Sequence, residues 1–330
     1  MSELTNNGSN VESQLEKYKD ELKYFQSSGE RNGEANALCK IAEYYWDNDD
    51  IKESLDAYRK ALKIQRSLGN RREEADIISN IGLIFHFGEE WQKAIKYYKQ
   101  SLRIREEIDD KAGEAIDLGN MGLISRLKGD YNKALDYFQN AYYINRELGE
   151  KDGMATALGN IGLAYLDKGD PDKSLEYQEM ALKLDIELKS KLGEATDLGN
   201  IGLVYQAKGE YDRALEYIEK ALNINRTIGE RMGEASDLNN MGRIYQDKGN
   251  LDKAFELYNQ ALDISEQIDD RLAQANELHN IGDIFMEKGE LDNAFECYGD
   301  ALGIYKRSGT KRHENMISQK IEEVRIKMRE

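Results

Sequence analysis

The chain has 330 residues and a formal net charge of −17, because 63 aspartate and glutamate residues outnumber 46 lysine and arginine residues. This acidity, without any long run of basic residues, excludes nucleic acid as an expected partner, since its phosphates would be repelled. No segment has the roughly 20 apolar residues of a membrane span, and the widely separated Cys39 and Cys297 favour reduced thiols and a cytoplasmic location.

The N-terminal residues predict a short tail followed by a helix. Residues 1–10 have neither an apolar core nor a basic start, so we expect a disordered tail there and no targeting signal. Residues 11–28 match the second helix of the repeat described next, and they predict a flanking helix. Such a helix would cover the apolar surface at the start of an array.

The sequence then repeats seven times with a strict period of 40 residues, from about residue 32 to residue 311. One column of small residues consists of Ala35, Ala75, Ala115, Ala155, Ala195, Ala235 and Ala275. A second column, seven residues later, consists of Ala42, Gly82, Gly122, Gly162, Gly202, Gly242 and Gly282. A fixed period of this size is typical of a solenoid of stacked units.

Each repeat contains two helical patterns, which we call helix A and helix B. In the fourth repeat the apolar spacing predicts helix A over residues 153–168 and helix B over residues 171–188. Gly169 between them can take positive φ to end helix A, and Asp170 can cap helix B. Pro171, the one proline of the chain, then occupies the first helical position, where its missing N–H is tolerated.

The C-terminal end differs from the repeats. Residues 312–330 predict one further helix, rich in charged residues, that would cap the array of residues 11–311. The small residues of helices A and B would allow close approach of the two helices, with Gly162 facing Ser174 or Ala181.

The repeat resembles the tetratricopeptide repeat at Leu158, Ile161, Gly162, Tyr165, Ser174 and Ala181. The resemblance implies an all-α fold, a right-handed α-solenoid or superhelix of stacked antiparallel helix pairs. It departs from the usual unit in its 40-residue length and in Ile186, which stands where many repeats have proline. The longer unit is similar to the subgroup of the kinesin light chains and the Leu-Gly-Asn-repeat modulators of G-protein signalling. The tail motifs of those modulators are missing.

An asparagine recurs on helix A, opposite its apolar face, and we call these six residues the asparagine column: Asn80, Asn120, Asn160, Asn200, Asn240 and Asn280. Resemblance to tetratricopeptide proteins implies that this face lines a concave groove, in which each amide binds the backbone of an extended peptide. Two alternatives are that the asparagines bond a neighbouring helix, or that duplication copied them. Because asparagine is about 0.6 kcal/mol worse than alanine in a helix, six copies require some compensation.

Three residues beyond the asparagines, the same face carries Leu83, Leu123, Leu163, Leu203 and Arg243. Four leucines exposed this close together would be unusual without a partner, so the sequence predicts that they form the apolar floor of the groove. The alternative is that helix B or the curvature of the array covers them in part.

No pattern indicates catalysis, a cofactor or a metal site. His86, His279 and His313 are expected to lie far apart along an array, and no nucleophile, P-loop or metal-ligand spacing is present. Acidic runs such as Glu106–Glu107 and Asp109–Asp110 are interpreted as solvated faces. The sequence therefore predicts a protein without enzymatic activity.

Three functions agree with these predictions. In the first, a scaffold binds a peptide segment of a partner protein in its groove. In the second, the array self-associates into a homo-oligomer. In the third, it is a regulatory subunit that senses a small peptide, as resemblance to bacterial peptide-sensing repeat proteins implies. We expect the first, with no nucleic-acid or membrane partner.

Overall fold

The computed structural model describes residues 4–48, 50–308 and 310–329. Every regular element in this part of the chain is an α-helix, and short turns join the 16 helices. The all-α prediction is thereby confirmed. The chain divides into two compact units, one ending at Lys128 and the other beginning at Gly129, and each is described by itself.

Unit 1 begins with a flanking helix, α1, and continues with helices A and B in alternation. Its elements are α1 (Leu4–Ser28), α2 (Arg31–Asp47), α3 (Ile51–Leu68), α4 (Arg71–Phe87), α5 (Trp91–Glu107) and α6 (Lys111–Leu127). Helix α1 begins at Leu4, inside the segment for which the sequence predicts a disordered tail, and residues 1–3 lie outside the described residues. The pairs α2–α3 and α4–α5 pack along their lengths.

Unit 2 continues the alternation. Its elements are α7 (Tyr131–Leu148), α8 (Lys151–Asp167), α9 (Pro171–Leu188), α10 (Lys191–Ala207), α11 (Tyr211–Ile228), α12 (Arg231–Asp247), α13 (Leu251–Gln267), α14 (Arg271–Lys288), α15 (Leu291–Ser308) and α16 (Lys311–Lys327). Helices α8 to α15 form four packed pairs, and α16 packs on α15. Residue 330, the last of the expected capping helix, lies outside the described part.

The turn between α8 and α9 has the predicted chemistry. Gly169 has a φ of +85°, in the left-handed region that favours glycine. The side-chain carboxylate of Asp170 accepts a hydrogen bond from the Lys173 N–H at 3.2 Å, so it caps α9, and Pro171 begins that helix. Local sequence therefore determines where this helix starts.

The second-column glycines of helix A make room for a side chain of helix B. The side chain nearest to Gly162 is that of Gln178, whose amide an added Cβ would overlap. Elsewhere the facing side chain is large and apolar or aromatic, in the pairs Gly82–Tyr98, Gly202–Ile218, Gly242–Tyr258 and Gly282–Tyr298. In each of these five pairs one side chain of helix B is thus inserted over a glycine of helix A.

The last helix completes the core of unit 2. Ile317, Ile321 and Val324 of α16 are buried in one apolar cluster with Tyr298 and Tyr305 of α15. None of the helices in the described part of the chain is long and apolar enough to cross a membrane.

Candidate functional site

The asparagine column lies on helices A in both units, and all six side chains are half-buried. The four leucines Leu83, Leu123, Leu163 and Leu203 are also half-buried, whereas Arg243 is exposed. The leucines are therefore partly covered, which was the alternative to full exposure. Arg243 donates hydrogen bonds to the Gln206 side-chain oxygen at 3.0 Å and to the Asn240 side-chain oxygen at 3.4 Å.

Two members of the column bond the preceding helix B. The Asn200 side-chain amide donates to the Gln178 side-chain oxygen at 3.4 Å, and the Gln178 amide donates to the Gly159 carbonyl at 2.9 Å. Asn80 is hydrogen-bonded to Tyr58. Both contacts join residues 22 positions apart, so these amides help to fix one helix against another.

The remaining asparagines of the column make different hydrogen bonds or none within the described residues. Asn280 donates to the Asn239 side-chain oxygen at 3.4 Å and is hydrogen-bonded to Glu277. The side-chain amides of Asn120 and Asn160 make no hydrogen bond to any residue among 4–48, 50–308 and 310–329. These two amides keep their donors and acceptors available for a ligand.

In unit 2, α8 and α10 contact each other and border an open cleft of about 320 Å³. The cleft brings together Asn160, Leu163 and Asn200, which the sequence assigned to one face. It is also lined by the carboxyl groups of Asp185 and Asp197. The cleft therefore combines the free amide group of Asn160, an apolar side chain and acidic groups.

Asp185 and Asp197 form a hydrogen-bonded pair, although they are only 8% and 4% exposed. Burial raises the pKa of Asp197, and the neighbouring charge of Asp185 raises it further. Because two carboxylates cannot share a hydrogen bond without a proton, Asp197 holds one and donates it to Asp185. No N–H donor or hydroxyl group within the described chain bonds the buried Oδ2 of Asp197, which leaves Asp185 as its partner.

Sequence reasoning missed this pair because it treated acidic residues as solvated. One signal was available, because the column of residues spaced 40 apart that includes Asp197 contains both apolar and acidic residues. Its members are Ala37, Ile77, Asp117, Ala157, Asp197, Asp237 and Glu277. Apolar members indicate a buried position, and the four acidic members are all buried. An acid in such a column is an interior residue.

The interpretation of Asp109–Asp110 as a solvated run is wrong for Asp110, which is 6% exposed. Its carboxylate accepts from the Gly113 N–H at 3.4 Å and so caps α6. It also forms ion pairs with Arg105 and with Arg72, the latter at 2.9 Å. Since the arginines and the backbone satisfy it, this carboxylate has a structural role.

His279 and His313 both lie in unit 2, on α14 and α16. Burial lowers the pKa of His279, and the charges of Lys320 and His313 lower it further, against the opposing effect of Asp283. No group of three or more His, Cys, Asp or Glu side chains in the described residues is arranged to hold a metal ion. Burial raises the pKa of the Cys39 thiol to about 12 and that of Cys297 to about 11, which disfavours thiolate chemistry at both.

Comparison with protein families gives matches along most of the chain. Family models described as the tetratricopeptide repeat match residues 33–107, 114–187, 193–267 and 278–307. A comparison with curated proteins gave no match.

Several solved structures have a similar fold. The apo form of RapI has a TM-score of 0.66 at 18% identity, over 84% of this chain and 99% of RapI. The Rap conjugation gene regulator of plasmid pLS20, in complex with the Phr* peptide, has a TM-score of 0.64 at 16% identity, over 86% and 76% of the two chains. Aspartyl phosphate phosphatase F from Bacillus subtilis has a TM-score of 0.58 at 14% identity, over 96% and 94%. At these identities the similarities establish the fold alone.

Proposed function

Since this chain belongs to the tetratricopeptide repeat family, we propose that it is a protein–protein interaction scaffold, without enzymatic activity of its own. In this proposal the asparagine-bearing face of helices A binds a peptide segment of a partner protein. The net charge of −17 disfavours nucleic acid as that partner, and the proposed location is the cytoplasm.

The observation that carries the proposal is the cleft between α8 and α10. Asn160 presents an amide that makes no hydrogen bond within the described chain, and Leu163 offers an apolar contact beside it. A side-chain amide can both donate to and accept from the backbone of an extended peptide. Binding would also explain Asn160 energetically, because the lower helix propensity of asparagine has no internal hydrogen bond to offset it.

A solved structure with a similar fold contains a bound peptide, which supports the proposal. The Rap regulator of plasmid pLS20 was solved in complex with the Phr* peptide. A peptide segment of a protein presents the same backbone groups as a free peptide. We therefore extend peptide binding to this chain as part of the proposal.

Affinity capture from the source lysate tests the proposed face. A double variant, Asn160→Ala with Asn200→Ala, is expected to lose the partner that the native protein recovers. The control is Asn259→Ala on α13, whose amide bonds the Phe255 carbonyl of its own helix at 2.7 Å. Recovery of the same partner by the double variant, with native helix content by circular dichroism, would contradict the proposal.

Self-association of the chain, the alternative function, is tested by its mass in solution. Light scattering over a range of concentrations is expected to give the mass of one chain, 37.8 kDa. A concentration-dependent rise to a multiple of that mass would favour an assembly element over a scaffold for other proteins.

A further inference from the structure

We propose that Trp46 and Phe87, with Glu43 and Asp47 beside them, form a second recognition surface, which binds a basic segment of a partner protein through a cationic side chain. We call these four residues the aromatic patch. All four lie in unit 1, on helices A, so the patch is separate from the cleft between α8 and α10. The inference extends the proposed function and rests on it only in taking a peptide segment as the ligand.

The core of the patch is a pair of aromatic rings at the C-terminal ends of α2 and α4. The ring centroids of Trp46 and Phe87 are 5.5 Å apart, and the ring planes are inclined at 56°. Phe87 is 61% exposed, although burial of such a ring would be favourable. The His86 ring stacks on Phe87 at 5.7 Å, and burial lowers the pKa of His86, so this imidazole is uncharged near pH 7. The rings therefore form an exposed apolar surface without a positive charge.

The corresponding positions of unit 2 hold a polar pair whose members bond to each other. The Gln206 amide donates to the Asp247 carboxylate at 2.6 Å, across 41 residues of sequence. Trp46 and Phe87 are also 41 residues apart, at the equivalent positions of their repeats. Since a polar pair suffices to join neighbouring helices A in unit 2, packing of the repeat does not require exposed aromatic rings in unit 1. Binding of a partner would explain them.

Two carboxylates give the patch a negative charge. Glu43 and Asp47 are exposed, and neither forms an ion pair or a side-chain hydrogen bond with a residue in the described part of the chain. Glu43 lies one turn before both Trp46 and Asp47, and residues three or four apart are neighbours on a helix surface. Lys40, the nearest cation along α2, is paired with Glu21 at 2.8 Å. The carboxylates are therefore available to a cation, which the C-terminal end of α2 would also attract.

A cationic side chain suits this combination better than an apolar or an anionic one. The faces of aromatic rings attract cations, and tryptophan attracts them most strongly. A guanidinium is planar and weakly hydrated, so it can stack on a ring while its N–H groups donate to a carboxylate. An anionic segment would be repelled by Glu43 and Asp47, and an apolar segment would desolvate both carboxylates without pairing them. The patch therefore favours a basic segment, and arginine is its best match.

The fluorescence of Trp46 provides a direct test, because the chain has two tryptophans and Trp91→Phe leaves Trp46 as the reporter. The ligands are acetyl-Ser-Arg-Ser-Arg-Ser-amide and the same peptide with citrulline, which keeps the shape of arginine without its charge. Titration near pH 7 and at low ionic strength is expected to give a saturable change in emission. The arginine peptide should bind at least about five-fold more tightly than the citrulline peptide.

Phe87→Leu tests the contribution of the rings, since it removes one ring and keeps an apolar side chain. Leu127 occupies the equivalent position of the next repeat, so we expect this variant to fold, with native helix content by circular dichroism. It should bind the arginine peptide at least about three-fold more weakly, because a cation would then contact one ring instead of two.

Asp47→Asn tests the contribution of the charge. It should weaken binding of the arginine peptide by about two- to five-fold and make the affinity less sensitive to salt. The matched control is Asp247→Asn, which makes the same exchange at the equivalent, exposed position of α12 and should leave binding unchanged.

Four outcomes overturn the inference: equal binding of the two peptides, no saturable change in emission with either, undiminished binding by folded Phe87→Leu, or equal effects of Asp47→Asn and Asp247→Asn. The proposed function fails separately, if the variant with Asn160→Ala and Asn200→Ala still recovers the partner. Loss of the partner in that capture, together with equal binding of the two peptides, would support the asparagine-bearing face and reject the aromatic patch.

Discussion

Two buried acids of unit 2, Asp237 and Glu277, have pKa values raised by their surroundings. Burial raises the pKa of Asp237 from 3.8 to about 7, against a hydrogen bond from Asn225 that lowers it. Burial likewise raises the pKa of Glu277 from 4.5 to about 8, against hydrogen bonds from Asn239 and Asn280. Desolvation of the charged form outweighs the neutral amide donors, whereas the cation Arg105 in unit 1 pairs directly with its carboxylates.

These pKa values predict that the protein loses stability as pH rises. Between about pH 4 and about pH 7 the native state binds the Asp237 proton and the unfolded state does not, so the free energy of unfolding falls as pH increases. Asp237→Asn should flatten this dependence and raise the free energy of unfolding at about pH 8 by more than about 1 kcal/mol. Urea unfolding at about pH 5 and pH 8 measures both effects.

The exposed Asp212 on α11 provides the control for that experiment. Asp212→Asn should leave the difference in stability between the two pH values as it is in the native protein. If Asp237→Asn behaves like this control, Asp237 is ionised in the folded protein and the assignment of its proton is wrong.

Some glycines of helix A make room for a side chain of helix B and others face open space, and this difference should change the free energy of unfolding of their alanine variants. A Cβ at Gly202 would overlap the Ile218 side chain and come within 3.1 Å of the Ala214 carbonyl oxygen, whereas a Cβ at Gly119 would meet nothing within 4 Å. Gly119→Ala should therefore raise the free energy of unfolding by about 1 kcal/mol through helix propensity. Gly202→Ala should lower it by about 1–3 kcal/mol through overpacking.

Chemical denaturation of the two variants beside the native protein gives these values. Two changes of the same sign would contradict the role assigned to the glycines, since both substitutions are chemically identical and both lie within a helix A.

The ends of helix α9 could be predicted from sequence, whereas α8 begins at Lys151 and ends at Asp167 and not at the predicted residues 153 and 168. Contacts between helices could be predicted only in part. Helix α9 begins at Pro171 and ends at Leu188 as expected, because capping and turn residues act within a few positions. The partners of Asn80 and Asn200 depend instead on the side chain 22 residues earlier. Gln178 can accept from Asn200, but Phe138 cannot accept from Asn160. Identical residues in one column therefore have different roles, which a repeat pattern alone does not separate.

At the scale of the whole molecule, unit 2 is stabilised by contacts between consecutive helices, so damage at its end should stay local. Ile317 on α16 is fully buried against α15, and Ile317→Ala should remove about 2–5 kcal/mol of local stability. Hydrogen exchange is expected to show lost protection in α15 and α16 and native protection in α8 to α10.

Met316→Ala is the matched control, because its side chain lies beside Ile317 in sequence and is exposed. It should leave exchange unchanged throughout. Uniform loss of protection across unit 2 in Ile317→Ala would instead indicate a single cooperative unit.

The different neighbours of the buried acids have a consequence for how such proteins diversify. Arginine, aspartate and asparagine occupy one equivalent position as Arg105, Asp185 and Asn225, while the helices around them keep the same lengths and turns to within a residue. A single codon at that position can thus change the charge beside the buried acid while the helices keep their lengths. Gene duplication would supply spare copies of a stable frame, and recognition could then evolve in one copy while its neighbours preserve the fold.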